Sequence, residues 1–382
     1  MQLNPVLAAM RTYPFLRLDE AKAQAAARGI ELIDFGVGDP REKTDARIRQ
    51  ALAGNLTEVS SYPAARGLPE LHRAIAGWFQ RRYGVAVDAE REVIPTLGSK
   101  EALFLMPFVV GDPHGPKNLV AVTEPGYPVA ERGALFAHFE VLRVPLRESH
   151  GFLPDVAAIP AGTWPRIALF WVNYPNNPTA ATAPLGFYEE LSQLAIEHDF
   201  LLASDEAYGE IYFGRPPASA VQVKDRRNVA VVTTLSKRSS MTGYRSGAIV
   251  ASPELIAALR AFRPMVGVAP QEFIQRAAVW AWNDESHVQD MRASYAAKRE
   301  VLLDVLERKH LRVAGCAATF YLWVEVPQGE ISEGFALRLL EGGVVVAHGS
   351  YFGDSGEGYV RLALVPTLEE CRRAAKILEE ML

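Results

Sequence analysis

Short runs of β-branched and aliphatic residues recur along the chain, with helix-patterned segments between them. The runs at 119–123 (LVAVT), 167–172 (IALFWV), 200–204 (FLLAS), 229–233 (VAVVT) and 247–251 (GAIVA) are apolar almost throughout. Unbroken apolarity, rather than alternation, is the pattern of strands covered on both faces, as in a mostly parallel sheet. Of the intervening helices, Pro69 to Tyr83 is the clearest. Pro69 suits a first turn, Leu71, Ile75, Phe79 and Tyr83 share one stripe, and Gly84 suits the stop. The alternation predicts a doubly wound α/β unit over 39–267. Toward the C-terminus the pattern changes to a long helix over 285–309, strand-like TFYLWVEV and YVRLALV, and a closing helix from Leu368. Residues 1–38 and 268–382 are therefore expected to form a smaller α+β unit.

A length of 382 residues agrees with two units around separate cores. Composition, at 49% hydrophobic and 22% charged, excludes disorder, a collagen-like repeat and a disulfide scaffold. A net charge of −5 with no basic block argues against nucleic acid as a partner. Cys316 and Cys371 stand alone, without CxxC spacing, so neither a disulfide framework nor a zinc site is expected; no metal is. Asn4, Pro5 and Arg11 interrupt the N-terminal segment, which does not read as a signal peptide. Leu103 to Val110 contains Pro107 and is far shorter than the roughly 20 residues of a membrane span. A cytoplasmic protein with no membrane partner is expected.

Four of the runs end in residues that a plain connection does not require. They are Glu124-Pro-Gly-Tyr127, Asn173-Tyr-Pro-Asn-Asn177-Pro-Thr179, Asp205-Glu-Ala-Tyr208 and Thr234-Leu-Ser236-Lys237. Ligands of open α/β sheets lie beyond the carboxyl ends of the strands, so these loops should converge on one site. Lys237, among hydroxyls and eight residues before Arg245, can form a Schiff base with a bound aldehyde while its neighbours hold a phosphate. A lone lysine would more often be a solvated surface group. Asp205 closes an apolar strand, where a carboxylate needs a cation such as a protonated pyridine nitrogen; capping a following helix is its other use. Asn177 and Tyr208 can donate to a phenolate oxygen on the same ring, although Asn-Pro segments also serve as simple turns. Gly98-Ser99-Lys100 opens a helical stretch and offers an anion site, or Ser99 is only an N-cap. The Tyr127 ring is available for stacking, or is a core aromatic.

In this order these residues resemble the class I/II aminotransferases of pyridoxal 5'-phosphate fold type I. The resemblance runs from Gly36-Val-Gly-Asp-Pro40 to Tyr359-Val-Arg-Leu362, and is most specific at Thr234-Leu-Ser-Lys-Arg-Ser-Ser-Met-Thr-Gly-Tyr-Arg245. It implies that Lys237 bonds the cofactor, Asp205 partners the ring nitrogen, and Asn177 and Tyr208 donate to the ring oxygen. It makes Lys237, Asp205 and Tyr208 the catalytic residues. Tyr127 becomes the stacking ring, and Ser99, Lys100, Thr234, Ser236 and Arg245 surround the phosphate. Tyr62 would reach the phosphate of the other subunit in a homodimer. Arg361 would clamp the substrate α-carboxylate, with Gly38, Asn177 and Tyr13 also at the substrate. Ala180 and Thr234 stand where the family often has glycine and serine.

Thr12-Tyr-Pro-Phe15, Leu97-Gly-Ser-Lys-Glu-Ala-Leu-Phe104, Ser236-Lys-Arg-Ser-Ser240 and His348-Gly-Ser-Tyr-Phe352 look closer to the N-succinyldiaminopimelate aminotransferases of lysine biosynthesis. The expected reaction moves an amino group from N-succinyl-L,L-diaminopimelate to 2-oxoglutarate, a small-molecule amino acid and a 2-oxo acid. Aspartate or an aromatic amino acid is the alternative donor, and a carbon-sulfur lyase is the alternative chemistry on this fold. The aminotransferase-like module of a transcription regulator would need a DNA-binding domain, and only a few dozen residues precede Gly36. For the distal carboxylate the cationic candidates are Arg66, Lys100, Arg238 and Arg263.

Overall fold

The computed structural model describes the chain except residues 2, 10–13 and 60, with backbone alone at 8, 9 and 14–17. Tyr13, expected at the substrate, lies outside the described residues, as does Thr12 of the same string.

The larger unit is built on a seven-stranded sheet. Its strands are β1 (Val93–Thr96), β2 (Leu119–Glu124), β3 (Glu140–Pro145), β4 (Ile167–Asn173), β5 (Leu201–Asp205), β6 (Val229–Thr234) and β7 (Gly247–Val250). They lie in the order β1-β7-β6-β5-β4-β2-β3, with β7 antiparallel to both neighbours and every other pair parallel. All five apolar runs form strands. Both faces are covered: Leu119, Ala121, Phe170 and Val172 enter one core, and Val120, Val122, Leu169 and Trp171 the other. That two-sided burial is the reason for the unbroken apolarity. The sequence pattern did not reveal β1 and β3, which are the two edge strands. An edge strand tolerates Pro95 in β1 and the charged Glu140 and Arg143 in β3, because one side of its backbone has no partner to satisfy.

Helix α1 (Pro69–Tyr83) has the expected bounds. It starts with proline in the first turn, buries Leu71, Ile75 and Phe79, and ends at Gly84 in the left-handed conformation, φ 72°. Four further helices in this unit matter here: α2 (Ser99–Leu105), α3 (Val129–Phe136), α4 (Leu235–Arg238) and α5 (Glu272–Asn283). Helix α5 was expected in the smaller unit. It instead packs Ala277, Ala278, Ala281 and Trp282 into the first core, with the Trp282 and Trp78 rings 4.9 Å apart. Its small side chains allow that close approach to α1, so the chain leaves the larger core after α5 rather than near 268.

The smaller unit has a four-stranded antiparallel sheet of β8 (Val313–Gly315), β9 (Tyr321–Glu325), β10 (Ala347–His348) and β11 (Tyr359–Ala363), in the order β10-β11-β9-β8. Helices α6 (Ser286–Arg308) and α7 (Leu368–Met381) contribute Tyr295, Leu302, Cys371 and Leu378 to its core. Ile33 and Phe35 join the same core, and Ile33–Asp34 pairs in parallel with Val344–Val345. This places Gly36 to Asp39 at the junction of the units. Among the described residues no helix is long and apolar enough to cross a membrane.

Candidate active site

The carboxyl ends of β4, β5 and β6 open into a cavity of about 470 Å³, closed from the other side by Arg361 on β11 and Tyr321 on β9. Of the residues singled out in the sequence, Gly38, Ser99, Lys100, Tyr127, Asn177 and Asp205 line it. So do Tyr208, Thr234, Ser236, Lys237, Arg245 and Arg361. The convergence expected from four strand ends is met, because adjacent parallel strands present their carboxyl ends at one edge.

Lys237 sits on α4, a single turn that follows β6. Thr234 caps it, its hydroxyl accepting from the Ser236 N–H at 3.1 Å. The threonine at this position thus serves as a serine would, and it also donates to the Ser246 carbonyl at 3.0 Å. The Lys237 ammonium donates to the Gly38 carbonyl across the junction at 2.7 Å. Burial lowers its pKa from 10.5 to about 8, with Arg361, Arg245 and Lys100 adding to the effect and Asp39 opposing it. A lysine tuned this way supplies an appreciable fraction of neutral, nucleophilic amine near neutral pH.

Asp205 is 6% exposed, and among the described residues its carboxylate accepts only the Ala207 N–H, at 3.2 Å. No helix follows it; residues 207–210 form a turn, which removes the helix-cap alternative. Desolvation pushes its pKa from 3.8 to about 7, the backbone bond opposing. Neighbouring Glu206 is also buried, but the Ala220 N–H at 2.8 Å and the Ser204 hydroxyl at 3.0 Å satisfy it. Asp205 therefore faces the cavity as a buried acid that, among the described residues, has no cation partner. Its backbone is tied to the next strand, where the Asn173 amide donates to the Asp205 carbonyl at 2.9 Å and the Asn173 side-chain oxygen accepts the Asn177 N–H at 2.8 Å. The Asn-Pro segment is a turn, and it is also the device that aims Asn177. Ala180, where glycine is common in the resembling family, sits at φ 57°, a cost of about 1 kcal/mol for a residue with a Cβ.

Arg361 is 1% exposed and stacks over Tyr321 and Phe352, at 4.2 and 4.6 Å from the ring centres. It donates from Nη1 to the Asn177 side-chain oxygen at 2.8 Å and from Nη2 to the Gly36 carbonyl at 2.7 Å, while its buried Nε has no partner among the described residues. A buried guanidinium N–H without an acceptor fits an anion. Tyr208 and Tyr321 share a hydrogen bond of 2.8 Å between hydroxyls. A Cβ on Gly38 would lie 2.1 Å from the Tyr321 hydroxyl, so glycine is required there.

At the opposite end of the cavity, Gly98 (φ 76°) precedes α2 and lies against the Arg245 guanidinium, 2.5 Å from where a Cβ would stand. Gly98, not Ser99, is the cap residue, which leaves the Ser99 hydroxyl for the cavity. Arg245 is itself in the left-handed region at φ 55°, and it is held by the Thr242 and Leu97 carbonyls, both at 2.9 Å. The Lys100 ammonium lies 5.9 Å from the centre of the Tyr127 ring. Two cations, two serine hydroxyls and the start of a helix thus gather where an anion can be held.

Other expectations fall elsewhere. Tyr62 is fully exposed and does not line the cavity. Of the four cations considered for a distal carboxylate only Lys100 lines it. Arg238 is buried against the carboxyl end of α5, donating to the Ala281 carbonyl and Glu285, both at 2.6 Å; Arg263 is buried against Glu101 at 2.6 Å; Arg66 is exposed. The first two are internal because a carboxylate partner offsets their burial. Sequence reasoning missed Tyr321, Asn173 and Asp39, which also line the cavity. Tyr321 lies within a strand-like apolar run, and nothing local distinguishes it from a core tyrosine. Among the described residues no group of three or more metal-ligating side chains is present.

A buried lysine of lowered pKa, a buried carboxyl, a guanidinium N–H without an acceptor among the described residues and an anion cradle suit an enzyme acting on amino acids through an aldehyde cofactor. Residues 30–378 match the model of the family described as aminotransferase class I and II. The LL-diaminopimelate aminotransferase of Nitratidesulfovibrio vulgaris strain Hildenborough is 40% identical over 366 residues, 94% of this chain and 93% of that one. Among solved structures, an aminotransferase from Neisseria meningitidis Z2491 superposes with a TM-score of 0.93 at 35% identity, covering all of both chains. A probable N-succinyldiaminopimelate aminotransferase from Thermus thermophilus gives 0.88 at 33% identity over 96% of this chain and 100% of that one. The chain belongs to the class I and II aminotransferases, and it is a pyridoxal 5'-phosphate-dependent enzyme of fold type I.

The lining fits that cofactor. A protonated pyridine nitrogen is the cation Asp205 lacks, and a phosphate suits the cradle around Arg245 and Ser99. Asn177, Tyr208 and Tyr127 line the space between these two ends.

Proposed function

We propose that this enzyme transfers the amino group of free LL-2,6-diaminopimelate, in the lysine pathway, with 2-oxoglutarate as the acceptor. Similarity to the Nitratidesulfovibrio LL-diaminopimelate aminotransferase along nearly the whole chain carries the choice of donor. The sequence strings favoured the N-succinylated diamine, and the Thermus structure keeps that donor as the second reading. We further propose a cytoplasmic homodimer, in which Tyr62, exposed on one chain, reaches the phosphate bound by the other.

Pyridoxal 5'-phosphate supplies the aldehyde that bonds an amine and the ring that draws electrons from the substrate α-carbon. Lys237 would hold the cofactor, and its amine would carry the proton removed from the substrate α-carbon. Asp205 would keep the ring nitrogen protonated, and Asn177 and Tyr208 would bind the ring oxygen. Tyr127 would stack on the ring, and Ser99, Lys100, Thr234, Ser236 and Arg245 would hold the phosphate. Arg361 would grip the α-carboxylate of donor and acceptor alike, with Gly38 beside it. The same residues serve both half-reactions, because each substrate presents the same α-carboxylate.

The test is a panel of donors assayed with 2-oxoglutarate by following glutamate. LL-diaminopimelate should give a kcat/KM at least about tenfold above the N-succinylated diamine, aspartate and phenylalanine. A higher value for the succinylated diamine would restore the second reading. Pyruvate and ammonia from cystathionine without a 2-oxo acid would indicate a lyase.

A further inference from the structure

A second cavity, about 720 Å³, meets the first at Tyr127, which lines both. Its walls are the end of β2, helix α3, Arg143 on β3 and the loop 350–354. It carries both signs of charge. Arg143 lies between two carboxylates: its Nη2 contacts Glu131, its Nε is 3.4 Å from Glu131, and the same Nε is 3.7 Å from Glu124. Glu124 is fixed by the Ser355 N–H at 3.2 Å and the Ser355 hydroxyl at 3.1 Å, and Gly353 packs so closely that a Cβ there would stand 2.2 Å from the Glu124 Cγ. The Arg143 side chain is 53% exposed and that of Glu131 25%.

We propose that this cavity receives the distal end of a long donor, and that Glu131 and Arg143 recognise a free amino-acid terminus there, ammonium and carboxylate together. The inference rests on the donor reading above. Four carbon-carbon bonds separate the two α-carbons of 2,6-diaminopimelate, about 5 Å when extended. With one end at Lys237 and Arg361, the other is free to extend toward the adjoining cavity, which shares Tyr127 with the first. An ion pair exposed to this degree is weakly held, so a zwitterion can exchange partners with it: its ammonium takes Glu131 and its carboxylate takes Arg143, with no net charge buried. Succinylation replaces the ammonium with a neutral amide and adds a second carboxylate, which would face Glu131 and Glu124. Arg143 was not among the cations weighed from the sequence, where it is one charged residue in an edge strand.

The experiment uses the holoenzyme and three donors of matched reacting end: LL-diaminopimelate, L-2-aminopimelate with a distal carboxylate only, and L-lysine with a distal ammonium only. They are measured as substrates, or as competitive inhibitors where turnover is too slow. Glu131→Gln should cut kcat/KM about tenfold for LL-diaminopimelate and lysine, with a loss at least about fivefold smaller for 2-aminopimelate. Arg143→Gln should reverse the pattern, striking LL-diaminopimelate and 2-aminopimelate and sparing lysine. Equal losses across all three donors, or none, would overturn the assignment. A parent enzyme that prefers the succinylated diamine would sink the donor reading instead, while lysine and 2-aminopimelate still decide whether the cavity reads the two charges.

Discussion

Replacing Asp205 by asparagine removes a buried charge and keeps the outline of the side chain, so the cofactor-free and cofactor-loaded proteins should respond in opposite directions. In the free protein, desolvation raises the carboxyl from 3.8 to about 7. A group with a raised folded pKa binds its proton more firmly when folded. Its contribution is therefore complete below about pH 4, falls as the pH rises toward 7, and is gone above that. The displacement corresponds to roughly 4 kcal/mol. Glu206, also raised to about 7 by burial, adds a similar slope, but it is present in both proteins and drops out of the comparison. Urea unfolding of the free parent and of Asp205→Asn at pH 5 and pH 8 measures the difference. The variant should gain on the parent by a few kcal/mol between those values, and a difference independent of pH would refute the desolvation argument. In the loaded enzyme the carboxylate has a cation, so the same variant should lose about 10²–10³-fold in kcat. An unchanged kcat with cofactor retained would remove Asp205 from the chemistry.

Three other outcomes follow from the site. Lys237→Ala should abolish turnover and borohydride fixation of the cofactor; in the free parent, an amine-reactive label should modify Lys237 with a midpoint near pH 8 rather than 10.5, and a midpoint near 10.5 would refute the buried setting. Arg361→Lys should lower kcat/KM for both half-reactions by about 10²-fold, because a point charge cannot span Asn177, Gly36 and a substrate carboxylate; a loss confined to one half-reaction would separate the two substrates. Tyr62→Phe should weaken cofactor retention, and mixing it with Lys237→Ala should restore activity in hybrid dimers, since one of the two sites then carries neither lesion. An active protein that is monomeric by light scattering would refute the shared site.

The positions of the strands were legible because burial on both faces leaves a continuous apolar run, and Pro69 and Gly84 punctuate α1 at its observed ends. The chemistry at the strand ends was legible for a related reason: polar residues such as Asp205 and Lys237, set immediately after a buried strand, have no structural need to be there. Local pattern is silent where a residue's role depends on what crosses it from a distant part of the chain. The edge strands β1 and β3 carry proline and charge because no further strand pairs with them, a fact of sheet order rather than of their own sequence. Tyr321 reads as a core aromatic until β9 brings its hydroxyl to Tyr208 and beneath Arg361. Arg238 and Arg263 read as available cations until α5 and Glu101 are seen to enclose them, whereas Arg143 gains its setting only when α3 and the 350–354 loop close around it. Hydrophobic periodicity records whether a side chain is buried; which group it meets there is settled only by long-range packing.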